Sequence, residues 1–230
     1  MIRLHHVPQT RSMRSLWLLH ELDVSFVVQT YPFDKTLRQE PYVSLNPTGR
    51  VPTLQLDDIV LTESGAITEY LCERFPEAGL GRDPGHAERA AWLNWLHFAE
   101  TISHHAATLT QQHIMLREDH MRSPIIMQLE AKRLARTLRT VEAGLSSDYL
   151  LSEFSAADIS VGQAVYMAMH YVRLDDFPRL TAWFNRLCAR PAWAKSLPAG
   201  DVLFKQTFYP PWEASDARPD PSQVKVPSDA

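Results

Sequence analysis

Cysteine is scarce: Cys72 and Cys188 are the two in 230 residues. They lie far apart, in no Cys-x-x-Cys spacing, which argues against a disulfide framework and a thiolate metal site and fits a reducing compartment. No apolar run approaches the ~18 residues that a bilayer span needs. Strand-like sequence begins at Ile2 without a charged-then-apolar leader, so a cytoplasmic protein with no membrane partner is expected. A basic excess is also missing, since 23 Lys and Arg face 27 Asp and Glu for a net charge of −4. Nucleic acid is therefore not an expected partner. No internal repeat is visible. What is present is apolar material, 45% of the chain, ample for one large core or two modest ones.

The densest local signals fall in residues 46–67. Asn46-Pro47-Thr48-Gly49 is a turn, and Val51-Pro52 leads into the strand-like run Thr53-Leu54-Gln55-Leu56. An X-Pro bond can be cis at little cost. Held cis here, it would swing Val51 out of the sheet and leave its N–H and C=O free for an extended peptide. The run turns at Asp57-Asp58 and returns through Ile59-Val60-Leu61-Thr62. It then reaches Glu63-Ser64-Gly65-Ala66, where Ser64 is expected to cap a helix from Ile67 to Phe75. A helix start with a carboxylate and a hydroxyl beside it suits the carboxylate and amine of an amino acid.

Before this stretch, Ile2 to Val7 reads as a short buried strand ended by Pro8, and Gln9 to Ser15 as a helix start. Leu16 to Leu22 reads as an apolar helix and Ser25 to Tyr31 as a second strand. With an irregular helix near Lys35 to Ser44, the order becomes β-α-β-α-β-β-α, an α/β unit over residues 1–78. Residues 76–85 hold three glycines and two prolines and read as a linker. From residue 86 to 209 helical periodicity takes over. Trp92, Trp95, Ala99, Ile102, Ala106 and Leu109 form one stripe, and Met127, Ala131, Leu134, Leu138, Val141 and Leu145 form a second, after a Ser123-Pro124 start. These two helices should pack antiparallel. Ser155-Ala-Ala-Asp158 spells a capping box for a helix over Ile159 to Met169 with few polar side chains, and Asp158 is assigned to folding. Phe177-Pro178 and Arg190-Pro191 bracket a further helix. Residues 210–230 form a proline-rich tail, expected to be mobile or draped over the surface.

Asn-Pro-x-Gly-(Lys/Arg)-Val-Pro-x-Leu followed by Glu-Ser-x-Ala-Ile resembles the glutathione-binding half of a glutathione S-transferase. The resemblance implies a thioredoxin-like N-terminal domain, an all-helical C-terminal domain, glutathione as co-substrate, no metal, and a homodimer. It makes Pro52 the cis-proline, Val51 the backbone partner of the glutathione cysteine, and Glu63 and Ser64 the γ-glutamyl site. Arg38 falls where some members have a lysine, and Arg50 matches the lysine of Gly-Lys-Val-Pro. Either can meet the glycyl carboxylate, and either can be a solvated surface residue.

Such an enzyme must supply a thiolate, and a free thiol with a pKa near ~8.5 is only a few per cent ionised at neutral pH. A hydroxyl between first strand and first helix can supply the needed hydrogen bond, and Thr10 and Ser12 are both candidates. Thr10-Arg11-Ser12-Met13-Arg14 is similar to the Ser-Arg-Ser-x-Arg segment of some bacterial and fungal transferases, with Thr10 in the place of the activating serine. Either hydroxyl could instead serve the helix start alone. Arg14 is expected to support the fold, and Arg11 could add positive potential near the sulfur. The electrophile, a small apolar molecule, is expected against the helix from His86 and the Ser155 helix. His97, Glu100, Thr101, His104, Tyr166, Phe208, Tyr209 and Trp212 are candidates for its pocket. His97, Glu100 and His104 share a helical face, yet no further ligand pattern supports a metal. Cys72 reads as a packed apolar group. Two alternatives stay open: a glutathione-dependent disulfide or peroxide reductase, and a non-catalytic binding module of the same fold.

Overall fold

A computed structural model describes residues 1–200 and 202–210. Its N-terminal elements are β1 (Ile2–His6), α1 (Ser12–Glu21), β2 (Phe26–Thr30), the short α2 (Tyr42–Leu45), β3 (Thr53–Leu56), β4 (Ile59–Leu61) and α3 (Ser64–Arg74). The sheet order is β2-β1-β3-β4. β1 pairs parallel with β2 and antiparallel with β3, and β3 pairs antiparallel with β4. A parallel pair needs a crossover, and α1 supplies it, burying Met13, Leu16, Trp17, Leu18 and Leu19. This is the thioredoxin-like arrangement that the order of elements implies.

The Val51–Pro52 bond is cis, as is Glu40–Pro41, which the sequence did not single out. The irregular second helix divides into a single 3-10 turn at Thr36–Arg38 and α2. Ser64 departs from expectation. It is the first residue of α3, the N-cap is Glu63, and among the described residues no side chain caps that end. The Ser64 hydroxyl turns inward and accepts a hydrogen bond from Arg14 Nη1 at 3.3 Å.

The remaining helices are α4 (Arg89–Thr110), α5 (Pro124–Gly144), α6 (Ala156–Ala168), α7 (Pro178–Cys188) and α8 (Pro191–Ser196). α4 and α5 run antiparallel: Trp95 lies against Gly144, His105 pairs with Glu130, and Gln112 accepts from the Ser123 N–H. A π-helical turn, Gln111–Met115, extends α4. Helical periodicity alone carries no sign of such a turn. α6 is buried along nearly its whole length and opens with the expected capping box. Such a helix start has no water for its free N–H groups. Asp158 meets that need and more, accepting from the N–H groups of Ser155 and Leu150 and the indole of Trp183 at 2.9 to 3.0 Å. One apolar core runs unbroken through both groups of elements, from Leu4, Leu54 and Trp17 to Trp92, Ile159 and Leu187.

Candidate active site

The site begins where β1 stops. Pro8 follows Val7, and Gln9 takes a positive φ of 55°, which turns the chain sharply into α1. Thr10 Oγ1 then lies 2.8 Å from the Val7 carbonyl, to which it donates, and 2.8 Å from Ser12 Oγ. It also accepts from the Ser12 N–H at 3.3 Å. Ser12 is 0% exposed. Its hydroxyl sits 2.8 Å from His6 Nδ1, accepts from the Val7 N–H and reaches the Val7 carbonyl. Burial pushes the His6 pKa down to about 4, against the opposing contact with Ser12. At neutral pH His6 is thus an uncharged partner of Ser12. Of the two candidate hydroxyls, Thr10 is the one on a cavity wall, and Ser12 is enclosed beneath it.

Arg14 wires this corner to the rest of the molecule. It is 2% exposed and pairs with Glu100 of α4, which is 46% exposed. Its other N–H groups reach Ser64 at the start of α3, Ser103 and the Ala99 carbonyl on α4, and Gln163 on α6. Gln163 in turn donates to the Thr10 carbonyl at 3.2 Å. Arg11 holds the other Glu100 oxygen through Nε at 2.9 Å. Burial opposes ionisation of Glu100, but Arg14 and Arg11 beside it hold its carboxyl below the usual range. A guanidinium stays charged under such conditions, so the three groups together carry one net positive charge.

A cavity of about 270 Å³ opens beside Thr10 and Arg11. Ser103, Ala106, Ala107 and Thr110 of α4 form one wall, and Gln163 and Met167 of α6 another. Phe33, Met115, Leu203 and Phe204 complete it. The segment carrying Leu203 and Phe204 is tied down by the Phe204 N–H donating to Gln9 Oε1 at 2.8 Å, while Gln9 Nε2 reaches the Tyr166 hydroxyl. Gln9, Gln163 and Phe204 were not anticipated. Their roles depend on residues far away in sequence, and the positive φ at Gln9 has no sequence signal comparable to a glycine.

Of the anticipated pocket residues, His97 pairs with Glu69 at 3.2 Å and lies against Gly65. Thr101 and His104 are exposed on α4. None of the three lines the cavity, which uses a neighbouring face of the same helix. Tyr166 stands behind it, in contact through Gln9. Glu100 is spent in its ion pairs. Phe208 stacks on His113, and Tyr209 lies against Arg173. Trp212, with the tail from residue 211 onward, lies outside the described residues.

At the other side of the corner, Asn46 organises the turn before Pro52. Its Nδ2 donates to the Arg50 carbonyl and to Thr53 Oγ1, and its Oδ1 accepts from Thr48. Gly49, at φ 60°, completes the turn against Leu37 and Arg38. The ladder with β1 starts at Thr53, so the N–H and C=O of Val51 are not spent in the sheet. Arg38, Arg50 and Glu63 are exposed, and none forms an ion pair among the described residues. Cys72 is buried, and that burial, with Glu73 and Glu69 nearby, pushes the thiol up to about 12, as for a packed apolar group. Among the described residues no three His, Cys, Asp or Glu gather to hold a metal ion, and no helix is long and apolar enough to cross a membrane.

The geometry has close counterparts. The family models for the glutathione S-transferase N-terminal domain and C-terminal domain match residues 1–73 and 124–186. Glutathione S-transferase F13 of Arabidopsis thaliana is 30% identical over 198 residues, 80% of this chain and 89% of that protein. A glutathione S-transferase from Xylella fastidiosa superposes with a TM-score of 0.77 at 26% identity, over 85% of this chain and 97% of the other. A sphingomonad glutathione S-transferase complexed with glutathione superposes at 0.73 with 24% identity, over 85% and 96%. The cis-proline turn, the open start of α3 and the hydroxyl pair at the start of α1 thus sit in a chain that matches the Arabidopsis protein over most of its length, and this chain belongs to the glutathione S-transferase family.

Proposed function

We propose that the protein adds the thiolate of glutathione to a small, largely apolar electrophile held in the cavity beside Thr10. The observation that carries this reading is that Thr10, of the two candidate hydroxyl residues, lines that cavity. In the proposed complex the cysteine of glutathione pairs with the main chain of Val51. The γ-glutamyl carboxylate takes the N–H groups at the start of α3 around Ser64, and its amine meets Glu63. Arg38 and Arg50, exposed and unpaired among the described residues, serve the glycyl carboxylate.

The sulfur then lies near the start of α1. The Thr10 O–H turns from the Val7 carbonyl to the sulfur, and the Ser12 O–H donates to Thr10 Oγ1, so that each hydroxyl polarises the next. A hydrogen bond to a charged group contributes about 1.5 to 3 kcal/mol, enough to lower the thiol pKa by roughly one to two units. The dipole of α1 acts in the same sense. Ser12, enclosed beneath Thr10, serves to orient it. The helical residues 86–209 supply most of the electrophile's surroundings, and residues 1–78 the glutathione site. We read the protein as a cytoplasmic homodimer, as the resemblance implies; the exposed Ile125, Ile126 and Leu129 on α5 supply an apolar face for such pairing.

The test is product identity. Incubated with glutathione and an aryl halide, the protein should yield a thioether adduct and free halide by mass spectrometry, while parallel incubations with a hydroperoxide and a small disulfide report reduction. Oxidised glutathione as the sole enzymatic product would replace transfer by reduction, and failure to be retained on immobilised glutathione would replace both by a binding module.

A further inference from the structure

We propose that Arg11 makes the cavity selective for electrophiles that carry a carboxylate on a short apolar body, as the aroylacrylates, which are conjugate acceptors, do. The inference rests on the thiol-transfer reading above and names its substrate class. Among the described residues that line the cavity, Arg11 carries the one charge. The opposing walls offer carbon, from Phe33, Met115, Met167 and Phe204. Arg11 is held by one contact only: Nε donates to Glu100, while Nη1 and Nη2 have no partner among the described residues. Its side chain is 35% exposed, so the free edge is partly withdrawn from water.

Glu100 does not cancel this charge, because its second oxygen is committed to Arg14. A guanidinium whose two terminal NH2 groups are unspent fits a carboxylate bidentately, and such charge-assisted pairs are stronger where water is excluded. Arg11 is adjacent in the chain to Thr10. Both residues line the same cavity, so an acceptor docked by its carboxylate on Arg11 can turn its alkene toward Thr10. In the reaction the thiolate forms a bond to an alkene carbon, and the alkene pair moves onto the ketone oxygen as an enolate. Solvent water then protonates the neighbouring carbon, replacing the proton that the thiol gave up.

The experiment compares β-benzoylacrylate with its methyl ester, in the wild type and in Arg11→Met and Arg11→Lys. Each rate is divided by the compound's uncatalysed rate with glutathione. The wild type is expected to favour the acid by about 10- to 100-fold, the factor that a charge-assisted contact supports. In Arg11→Met that preference should collapse, through a higher KM for the acid, with the KM for glutathione little changed; Arg11→Lys should recover part of it. An acid preference that survives in Arg11→Met overturns the proposal. So does an equal fall for acid and ester, which would place Arg11 in thiol activation or folding. A wild type that forms an adduct with neither compound, nor with an aryl halide, would instead remove the transfer reading on which the proposal stands.

Discussion

A hydroxyl has one proton to donate, and at the start of α1 several acceptors compete for those of Thr10 and Ser12. Ser12 is surrounded by His6, Val7 and Thr10, so its proton is used inside the protein whichever way it turns. Thr10 gives its proton to the Val7 carbonyl, an acceptor that a thiolate beside it would outcompete. His6 sets the pH range of this arrangement. Burial lowers its pKa from 6.5 to about 4, so the unfolded chain takes up a proton between those values that the folded chain does not. Stability from this source is complete above pH 6.5 and is lost as pH falls toward 4, by about 3 kcal/mol in all. His6→Gln removes that proton uptake. Its urea midpoint should fall less between pH 6.5 and 4.5 than that of the wild type, and parallel pH profiles would contradict the assignment.

At the scale of elements, the start of α6 gives the sharpest prediction. A cap alone is worth about 1 to 2 kcal/mol, but Asp158 also holds the Leu150 N–H and the Trp183 indole. Asp158→Ala would strand these buried donors together and should cost about 3 to 5 kcal/mol, read as a lower urea midpoint at unchanged slope. A loss near 1 kcal/mol would show that water reaches the site. The Ser155-x-x-Asp158 box was legible in the sequence because both partners lie within one turn, and so were the proline that opens α5 and the Val51-Pro52 turn. Ser64 was misplaced as a cap because the group that draws its hydroxyl inward, Arg14, lies fifty positions earlier. The cavity face of α4 was missed for a related reason. Periodicity shows that one stripe is apolar, but not that the adjacent Ser103 to Thr110 face is covered by a segment near residue 204. Contacts carried by remote residues leave no local pattern.

For the whole molecule, the two groups of elements behave as one body because their shared interface is both apolar and polar. Trp17 of α1 packs edge-on against Trp193 of α8 at 4.8 Å. Beside it Glu21 accepts the Trp17 indole N–H and pairs in two places with Arg190, each at 2.7 Å. Arg190→Ala would break that pair and leave Glu21 largely buried, at a cost of about 1 to 3 kcal/mol. Tryptophan fluorescence and far-ultraviolet circular dichroism should nevertheless report one coincident transition in wild type and variant alike, shifted down in the variant. Two separated transitions would contradict a common core.

The central claim joins these scales: the sulfur of glutathione loses its proton against the Thr10 hydroxyl at the start of α1. The direct measurement is an ultraviolet titration of the thiolate of bound glutathione in the wild type, Thr10→Ala and Ser12→Ala. The account predicts a thiol pKa below the free value in the wild type, a rise of roughly one to two units in Thr10→Ala, and a smaller rise in Ser12→Ala. A titration that Thr10→Ala leaves unchanged would contradict it.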